Sequence, residues 1–391
     1  MRRPETISRI PVSFVTGFLG SGKTTLISAV LRQPDMSGTA IIVNEFGAVG
    51  LDDAIFAQTA SKEDIKLLAN GCMCCVADDD LAVTLLELTR RTDRVPSRIV
   101  VETTGLADPA NLLHKIMVDP RIRPYVRLDG VITTVDAVNG MKTLSGEPVA
   151  QRQAAMADLR VITKTDLVDS SAVLVLETQL RGLNAGADIL RINHGDISCD
   201  RLFGMSLIDS NTGNANLEKW LNSDAHRVNN STNDHHIHPD HVEDSMQVHY
   251  SGSHLRENKN NHGAGVGTWL IEEARPVDWE GLSPRIGAII EKYGDFLLRL
   301  KGVVWTNTDP RPLVIHGVQK IFHAPTWLEK WPVDPGTALV AIGSEGIQPA
   351  IEMLTSALQE CAIDIDHPAN RGSGMPRMPR PVTANRLPAK N

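Results

Sequence analysis

Short apolar segments alternate with longer segments of helical periodicity along the first half of the chain. Turn-forming residues separate the two kinds of segment, and the apolar ones have the length of buried strands. Such alternation is typical of a mostly parallel sheet covered by helices. Strands are predicted at 11–16, 39–44, 98–103, 128–135, 158–163 and 188–192, and helices at 23–32, 79–92, 109–116 and 171–181.

The pattern changes after residue 210. Asn, Ser, Asp and His replace aliphatic residues over 211–264, which we interpret as a flexible linker. Strand-like segments then return at 267–272, 299–306, 313–318 and 338–342, with helical segments at 283–293 and 348–360. The predicted parts are an α/β domain over 1–210, the linker over 211–264, a smaller α+β domain over 265–365 and a disordered, basic, Pro-rich tail over 366–391.

Composition limits the classes of protein to which the chain can belong. Its 391 residues are 42% hydrophobic and carry a formal net charge of −8. This size is sufficient for two domains, and the acidic balance gives no overall attraction for nucleic acid. Without an apolar run long enough to span a membrane or to serve as a signal peptide, we expect neither a membrane nor a secreted protein.

Residues 17–25 read GFLGSGKTT and lie between the first predicted strand and the first predicted helix. This is a phosphate-binding loop (P-loop) in the context that the motif requires, so the first domain is expected to be a P-loop NTPase. Lys23 is expected to reach the β- and γ-phosphates, and Thr24 to bind Mg²⁺. The other nucleotide-binding residues predicted in this loop are Gly17, Gly20, Ser21, Gly22 and Thr25.

A second motif, TKTD at residues 163–166, follows the strand predicted at 158–163. The carboxylate of Asp166 can accept two hydrogen bonds from guanine, whereas adenine offers no matching pair of donors. The aliphatic part of Lys164 can lie along the base. The motif therefore favours GTP over ATP. Thr163 stands where Asn is usual and cannot supply the paired donor and acceptor of an amide, which leaves the strength of the preference open.

Two further motifs follow predicted strands. In ETTG at residues 102–105, Glu102 is expected beside the Mg²⁺ or the attacking water, and Gly105 near the γ-phosphate. Lys23, Thr24 and Glu102 are thus the predicted catalytic residues. In NEFG at residues 44–47, Glu45 is expected in a loop that responds to the nucleotide.

Three of the five cysteines lie within NGCMCC at residues 70–75. Cys72, Cys74 and Cys75 offer three soft thiolates for a zinc-type site. The fourth ligand is left to Glu45, a histidine, water or a ligand from another protein. Clustered cysteines of this kind indicate thiolate chemistry in a reducing cytoplasm more than a disulfide framework.

Most of the 13 histidines lie in the predicted linker. Two interpretations remain open for them. They either keep a solvated loop polar or capture metal ions weakly, because neutral imidazole is a common ligand. The secondary metal ligands in the second case are His235, His236, His238 and His241.

Together these motifs resemble the CobW family of P-loop GTPases, which includes zinc chaperones and nitrile hydratase activators. The resemblance covers about residues 10–365 and rests on GFLGSGKTT, NEFG, NGCMCC, ETTGLADP, TKTDL, RLKGVVW and VIHGVQ. It implies GTP hydrolysis coupled to the handling of Zn²⁺ or Co²⁺ through Cys72, Cys74 and Cys75. It also implies that the second domain contacts a client protein.

The function expected from the sequence is that of a cytoplasmic, GTP-dependent zinc metallochaperone, with GTP, Mg²⁺ and Zn²⁺ as cofactors. A cobalt chaperone that serves cobalamin synthesis or a cobalt enzyme is one alternative. A metal-storage or sensing protein with incidental GTP turnover is another. A small-molecule kinase fits less well, because it would leave TKTD without a role. The sequence does not identify the client or the oligomeric state, for which a homodimer is one option.

Overall fold

Two β-sheets organise the described part of the chain. The computed structural model describes residues 9–43, 65–67, 78–193, 196–205, 254–257, 265–322, 325–331 and 334–364. Within these residues each sheet has seven strands. The first sheet is parallel and belongs to the first domain, and the second is antiparallel and belongs to the second domain.

The parallel sheet has the strand order β3-β2-β4-β1-β5-β6-β7. Its strands are β1 (Ile10–Thr16), β2 (Thr39–Val43), β3 (Ile65–Leu67), β4 (Arg98–Glu102), β5 (Val126–Asp136), β6 (Leu159–Thr163) and β7 (Asp188–Arg191). The helices of this domain are α1 (Lys23–Leu31), α2 (Asp78–Thr89), α3 (Pro109–Val118), α4 (Gly140–Gly146), α5 (Pro148–Met156), α6 (Ser170–Leu183) and α7 (Cys199–Leu202).

Helices on both faces bury the central strands of this sheet. Every residue of β1 and β2 is buried, as expected for parallel strands covered on both sides. Helix α1 packs on one face, with Leu26 and Val30 against Val100 and Ile132. Helices α2 to α6 cover the other face. Since all strands run the same way, the carboxyl ends of β1, β4, β5 and β6 meet at one edge of the sheet.

The antiparallel sheet has the order β12-β11-β10-β14-β9-β8, with β13 paired to β11. Its strands are β8 (His254–Glu257), β9 (Val266–Glu273), β10 (Leu297–Val304), β11 (Leu313–Val318), β12 (Ile321–Phe322), β13 (Thr326–Trp327) and β14 (Thr337–Ser344). Helices α8 (Trp279–Tyr293) and α9 (Gln348–Cys361) share one apolar core with this sheet.

The predicted fold class, a P-loop NTPase domain followed by a smaller α+β domain, is confirmed by this architecture. Local details differ from the prediction. Helices α4 and α5 were not predicted, because Gly, Ser, Gln and Ala give 140–156 little apolar periodicity. Helix α8 was predicted to begin at Ser283 but begins at Trp279. Asp278 caps this start, because its carboxylate accepts from the Glu280 N–H.

Four residues of the predicted linker, His254–Glu257, form β8 and pair with β9. The main chain of β9 would otherwise offer an unpaired edge, and this edge can pair with a polar segment as readily as with an apolar one. The rest of the linker and residues 365–391, which include the tail, lie outside the described residues. The domain boundaries given by the sequence therefore stay predictions.

A buried charge cluster joins the two domains. Asp158, just before β6, accepts from Arg299 Nη1 at 3.0 Å and also binds Lys301, both on β10. Arg299 also donates to the Met156 carbonyl at 2.7 Å, and the Val131 N–H donates to Asp158 at 2.9 Å. Burial alone would raise the pKa of Asp158, but the charges of Arg299 and Lys301 lower it well below its ordinary value.

Replacing Asp158 by Asn is expected to destabilise the protein by about 3 kcal/mol, because Arg299 would keep a buried charge without a counter-charge. Urea denaturation measures this change. The matched control is Asp309→Asn, which breaks the exposed pair of Asp309 with Arg311 and is expected to change stability little. Equal effects of the two variants would show that the buried cluster does not hold the domains together.

Candidate nucleotide site

The loop that joins β1 to α1 turns through three glycines with positive φ. Gly17 has φ 138°, and a Cβ there would lie 2.4 Å from the Thr134 carbonyl oxygen. Gly22, at φ 93°, immediately precedes the first turn of α1. Such a backbone places N–H groups together at a helix N-terminus, which is the geometry that binds phosphate.

Lys23 lies against this loop with only 9% of its surface exposed. Its Nζ donates to the Gly17 carbonyl at 2.8 Å and to the Phe18 carbonyl at 3.2 Å. The ammonium group therefore lies where the loop begins. The hydroxyls of Ser21 and Thr134 are 2.6 Å apart, and this contact ties the loop to the end of β5.

Glu102 lies beside the P-loop, as its motif predicts. It ends β4, which pairs with β1, and its carboxylate accepts from the Thr24 hydroxyl at 2.8 Å. The side chain of Glu102 is buried, with 4% exposed. A hydroxyl next to a carboxylate is a hard-oxygen donor set that suits Mg²⁺, so Thr24 and Glu102 fit the predicted metal.

Gly105 packs directly on the P-loop. A Cβ at this position would lie 2.6 Å from the Leu19 nitrogen, so only glycine allows the two loops this close. The carbonyl of Gly105 accepts from Nε2 of Gln153, a fully buried residue on α5 that the sequence analysis missed. Gln153 belongs to no recognised motif, and buried glutamines give no periodic signal.

The TKTD segment reaches the P-loop through its first two residues. The Thr163 hydroxyl donates to the Ser21 carbonyl at 2.8 Å, and Lys164 Nζ donates to the Gly20 carbonyl at 2.9 Å. Thr163 thus supports the loop, a task that needs one donor and no amide. Lys164 adopts a left-handed backbone, with φ 56°, a conformation that costs energy in a non-glycine residue and is frequent at functional sites.

Asp136, at the end of β5, is a second residue that the sequence analysis missed. Its carboxylate lies 2.8 Å from Lys164 Nζ and fixes that side chain across the strand ends. Burial raises the pKa of Asp136, but hydrogen bonds from Lys164, Asn139 and Val138 outweigh this effect and lower it. The carboxylate is therefore ionised at neutral pH.

Asp166 is exposed at the start of a short 3₁₀ turn, Thr165–Leu167, and Thr25 is exposed on α1. Asp166 is therefore accessible to a ligand at the same sheet edge as the P-loop. The structure brings together the predicted residues of the P-loop, ETTG and TKTD around the ends of four neighbouring strands.

The predicted soft-metal ligands Cys72, Cys74, Cys75 and Glu45 lie outside the described residues, as do the linker histidines His235, His236, His238 and His241. The residues that the structure describes contain one group of three candidate ligands, Asp35, Cys199 and Asp200. Burial raises the pKa of the Cys199 thiol, which disfavours the thiolate that a metal needs. Nothing therefore points to a metal there.

The described residues include no helix that is long and apolar enough to cross a membrane.

The central strand of the parallel sheet leads into a glycine loop, Lys23 and helix α1, and carboxylates lie at the neighbouring strand ends. This arrangement defines a P-loop nucleotide-binding protein. Residues 11–191 match the model of the CobW/HypB/UreG nucleotide-binding domain, and residues 266–362 match that of the cobalamin synthesis protein cobW C-terminal domain. The chain belongs to the CobW family, as its motifs predicted.

Named relatives cover most of the chain. It is 31% identical to the zinc chaperone YjiA of Escherichia coli over 338 residues, which are 85% of this chain and 94% of that protein. It is 30% identical to the zinc chaperone CobW of Pseudomonas aeruginosa, over 89% and 91% of the two chains. The crystal structure of zinc-bound YjiA GTPase from E. coli superposes with a TM-score of 0.59 at 25% identity, covering 90% of this chain and 99% of that one.

Replacing Asp166 by Ala is expected to weaken GTP binding about tenfold, because a charged acceptor of two guanine hydrogen bonds is lost. The contacts to the triphosphate remain, so ATP affinity is expected to change little. Titration calorimetry with both nucleotides measures the ratio. The matched control is Asp169→Ala, which removes an exposed aspartate that makes no capping bond to α6. Equal affinities of the wild type for GTP and ATP would refute the assignment of Asp166.

Proposed function

We propose that the chain is a GTP-dependent zinc metallochaperone, in which GTP binding and hydrolysis control the transfer of zinc to a client protein. The contact that carries the proposal is the hydrogen bond from Thr24 to Glu102, because it joins the P-loop to the strand end that precedes Gly105. A loop attached there can respond to the γ-phosphate. Relatives named as zinc chaperones and a zinc-bound relative named as a GTPase support the cargo and the reaction.

GTP hydrolysis requires positioning and charge stabilisation more than covalent chemistry. The N–H groups of the P-loop and Lys23 hold the phosphates in this proposal. Thr24 and Glu102 would hold Mg²⁺, which supplies charge neutralisation for the β- and γ-phosphates when bound. The backbone at Gly105 lies against the same loop and would face the γ-phosphate, while Asp166 reads the base.

The strand register connects the nucleotide to the predicted zinc ligands. Val43, the last residue of β2, pairs with Glu102 at the end of β4. Glu45 follows two residues later in the sequence, and the cysteine motif lies between β3 and α2. The strand partner of Glu102 is thus only two residues from Glu45, a proposed zinc ligand. Cys72, Cys74, Cys75 and Glu45 would complete four ligands, as tetrahedral zinc prefers.

The second domain is proposed to contact the client, as the resemblance to the CobW family implies. The buried cluster of Asp158, Arg299 and Lys301 joins this domain to the first. Co²⁺ remains the alternative cargo, since thiolate and imidazole ligands accept both metals. A storage protein remains the alternative function, and it differs in requiring no link between nucleotide and metal. The cytoplasm remains the expected location.

Replacing Cys74 by Ser is expected to weaken zinc binding at least about tenfold, because a hydroxyl is a poor ligand for a soft metal. One tightly bound zinc ion per chain is expected in the wild type, measured by competitive chelator titration. The matched control is Cys199→Ser, which changes a buried cysteine in α7 and is expected to leave zinc binding intact. X-ray absorption without sulfur ligands in the loaded wild type would exclude the cysteine site.

Deletion of residues 230–262 tests whether zinc binds tightly at the cysteine site or at the linker histidines. The deletion also removes β8, so the folding of the shortened chain is checked first by its unfolding midpoint. Tight zinc binding and GTP hydrolysis are expected to persist, and weakly held ions to be lost. Loss of the tight ion instead would place the primary site in the linker.

A further inference from the structure

Gln153 on α5 contacts residues 103–108, the Gly105 loop, through its side-chain amide, and its neighbour Arg152 binds Asp108 of the same loop at 3.1 Å. Nε2 of Gln153 donates to the Ala107 carbonyl at 2.9 Å and to the Gly105 carbonyl at 3.2 Å. The Gln153 side chain is fully buried, and its Oε1 makes no hydrogen bond among the described residues. Burying an amide is costly unless it is bonded, so these two bonds determine where this side chain can lie.

The main chain of Gln153 is also fixed relative to the P-loop. The hydroxyl of Thr133 on β5 donates to the Gln153 carbonyl at 2.7 Å. The next residue, Thr134, contacts Ser21 of the P-loop and donates to the Thr16 carbonyl at 3.2 Å. Gln153 therefore contacts the Gly105 loop with its side chain, while its main chain is bonded to β5, which in turn contacts the end of β1 and the P-loop.

Both peptide units that flank Gly105 are held in this arrangement. The Thr104 carbonyl accepts from the Ala107 N–H at 3.1 Å, and the Gly105 carbonyl accepts from Gln153. In a trans peptide the C=O and the following N–H point in opposite directions. Holding the Thr104 carbonyl thus sets the direction of the Gly105 N–H, and holding the Gly105 carbonyl keeps the loop from turning about it.

The helix that carries Gln153 ends at the domain interface. The carbonyl of Met156, three residues later, accepts from Arg299 of β10, and Asp158 binds Arg299 and Lys301. Three residues are less than one turn of an α-helix, about 4.5 Å along its axis. The side chain that holds the Gly105 loop and the carbonyl that binds Arg299 thus lie within one turn of the same helix.

We propose that Gln153 is a positioning residue for GTP hydrolysis, which fixes the Gly105 loop against the P-loop and connects its position through α5 to the second domain. The inference rests on the proposed GTPase function. It adds a residue that no motif contains and a route by which the nucleotide state reaches the domain proposed to meet the client.

The test compares two glutamines of α5. Gln151 is also buried, and its Nε2 donates to the Leu144 carbonyl at 2.6 Å, but it does not contact the Gly105 loop in any described bond. Gln153→Met is expected to lower kcat for GTP hydrolysis about tenfold, because two buried hydrogen bonds to the loop are lost, while GDP affinity stays within about twofold. Gln151→Met, which removes a bond of the same kind, is expected to keep kcat within about twofold.

The Lys23→Ala variant gives the background rate of GTP turnover with which the wild type and both glutamine variants are compared. Wild-type turnover no greater than this background would overturn the proposed function and the inference with it. Normal wild-type turnover with the same kcat in Gln153→Met, or equal losses in the two glutamine variants, would overturn the inference alone.

Hydrogen exchange on the wild-type protein gives a second readout that does not depend on a variant folding. Residues 148–158 and β10 are expected to differ in amide protection between GDP and a non-hydrolysable GTP analogue. The same protection in both states would contradict the connection through α5. The difference at β10 is expected to disappear in Gln153→Met and to persist in Gln151→Met.

Discussion

The orientation of the P-loop carbonyls is the constraint on which the candidate site depends. A loop that turns its N–H groups toward an anion must turn its carbonyls away, and these carbonyls need donors. Lys23 donates to the carbonyls of Gly17 and Phe18, Lys164 to that of Gly20, and Thr163 to that of Ser21. Donors from α1 and from the end of β6 thereby satisfy the carbonyls of the loop, and the Phe18 carbonyl also accepts from the Ser21 N–H at 3.2 Å.

The parallel sheet supplies these donors from distant parts of the chain. Strand β1 lies at the centre, with β4 on one side and β5 followed by β6 on the other, so their carboxyl ends converge on one loop. The same edge holds Glu102 against Thr24, and Asp136 against Lys164. Helix α5 extends the arrangement to the second domain, because Gln153 and Met156 lie on one short helix. The candidate nucleotide site and the domain contact are thus connected by hydrogen bonds within one turn of the same helix.

The sequence predicted those parts of the site in which chemistry and strand ends coincide. Lys23, Glu102 and Asp166 follow apolar strands in recognisable motifs, and all three lie at the expected edge. Gln153 could not be predicted, because its role depends on a packing partner 46 positions away in the sequence. The pairing of Asp158 with Arg299 spans 141 positions and leaves no local pattern. Periodicity likewise missed α4 and α5, whose small and polar residues resemble a loop.

The most direct measurement is the zinc affinity of the protein in its GDP-bound state and in its state bound to a non-hydrolysable GTP analogue, by competitive chelator titration. Mg²⁺ and pH must be held constant, because thiolate ligands compete with protons. Coupling through the paired ends of β2 and β4 predicts affinities that differ by roughly 5- to 150-fold, with GTP affinity changing by the same factor when zinc binds. Equal zinc affinities in the two states would contradict a nucleotide-controlled chaperone and favour storage.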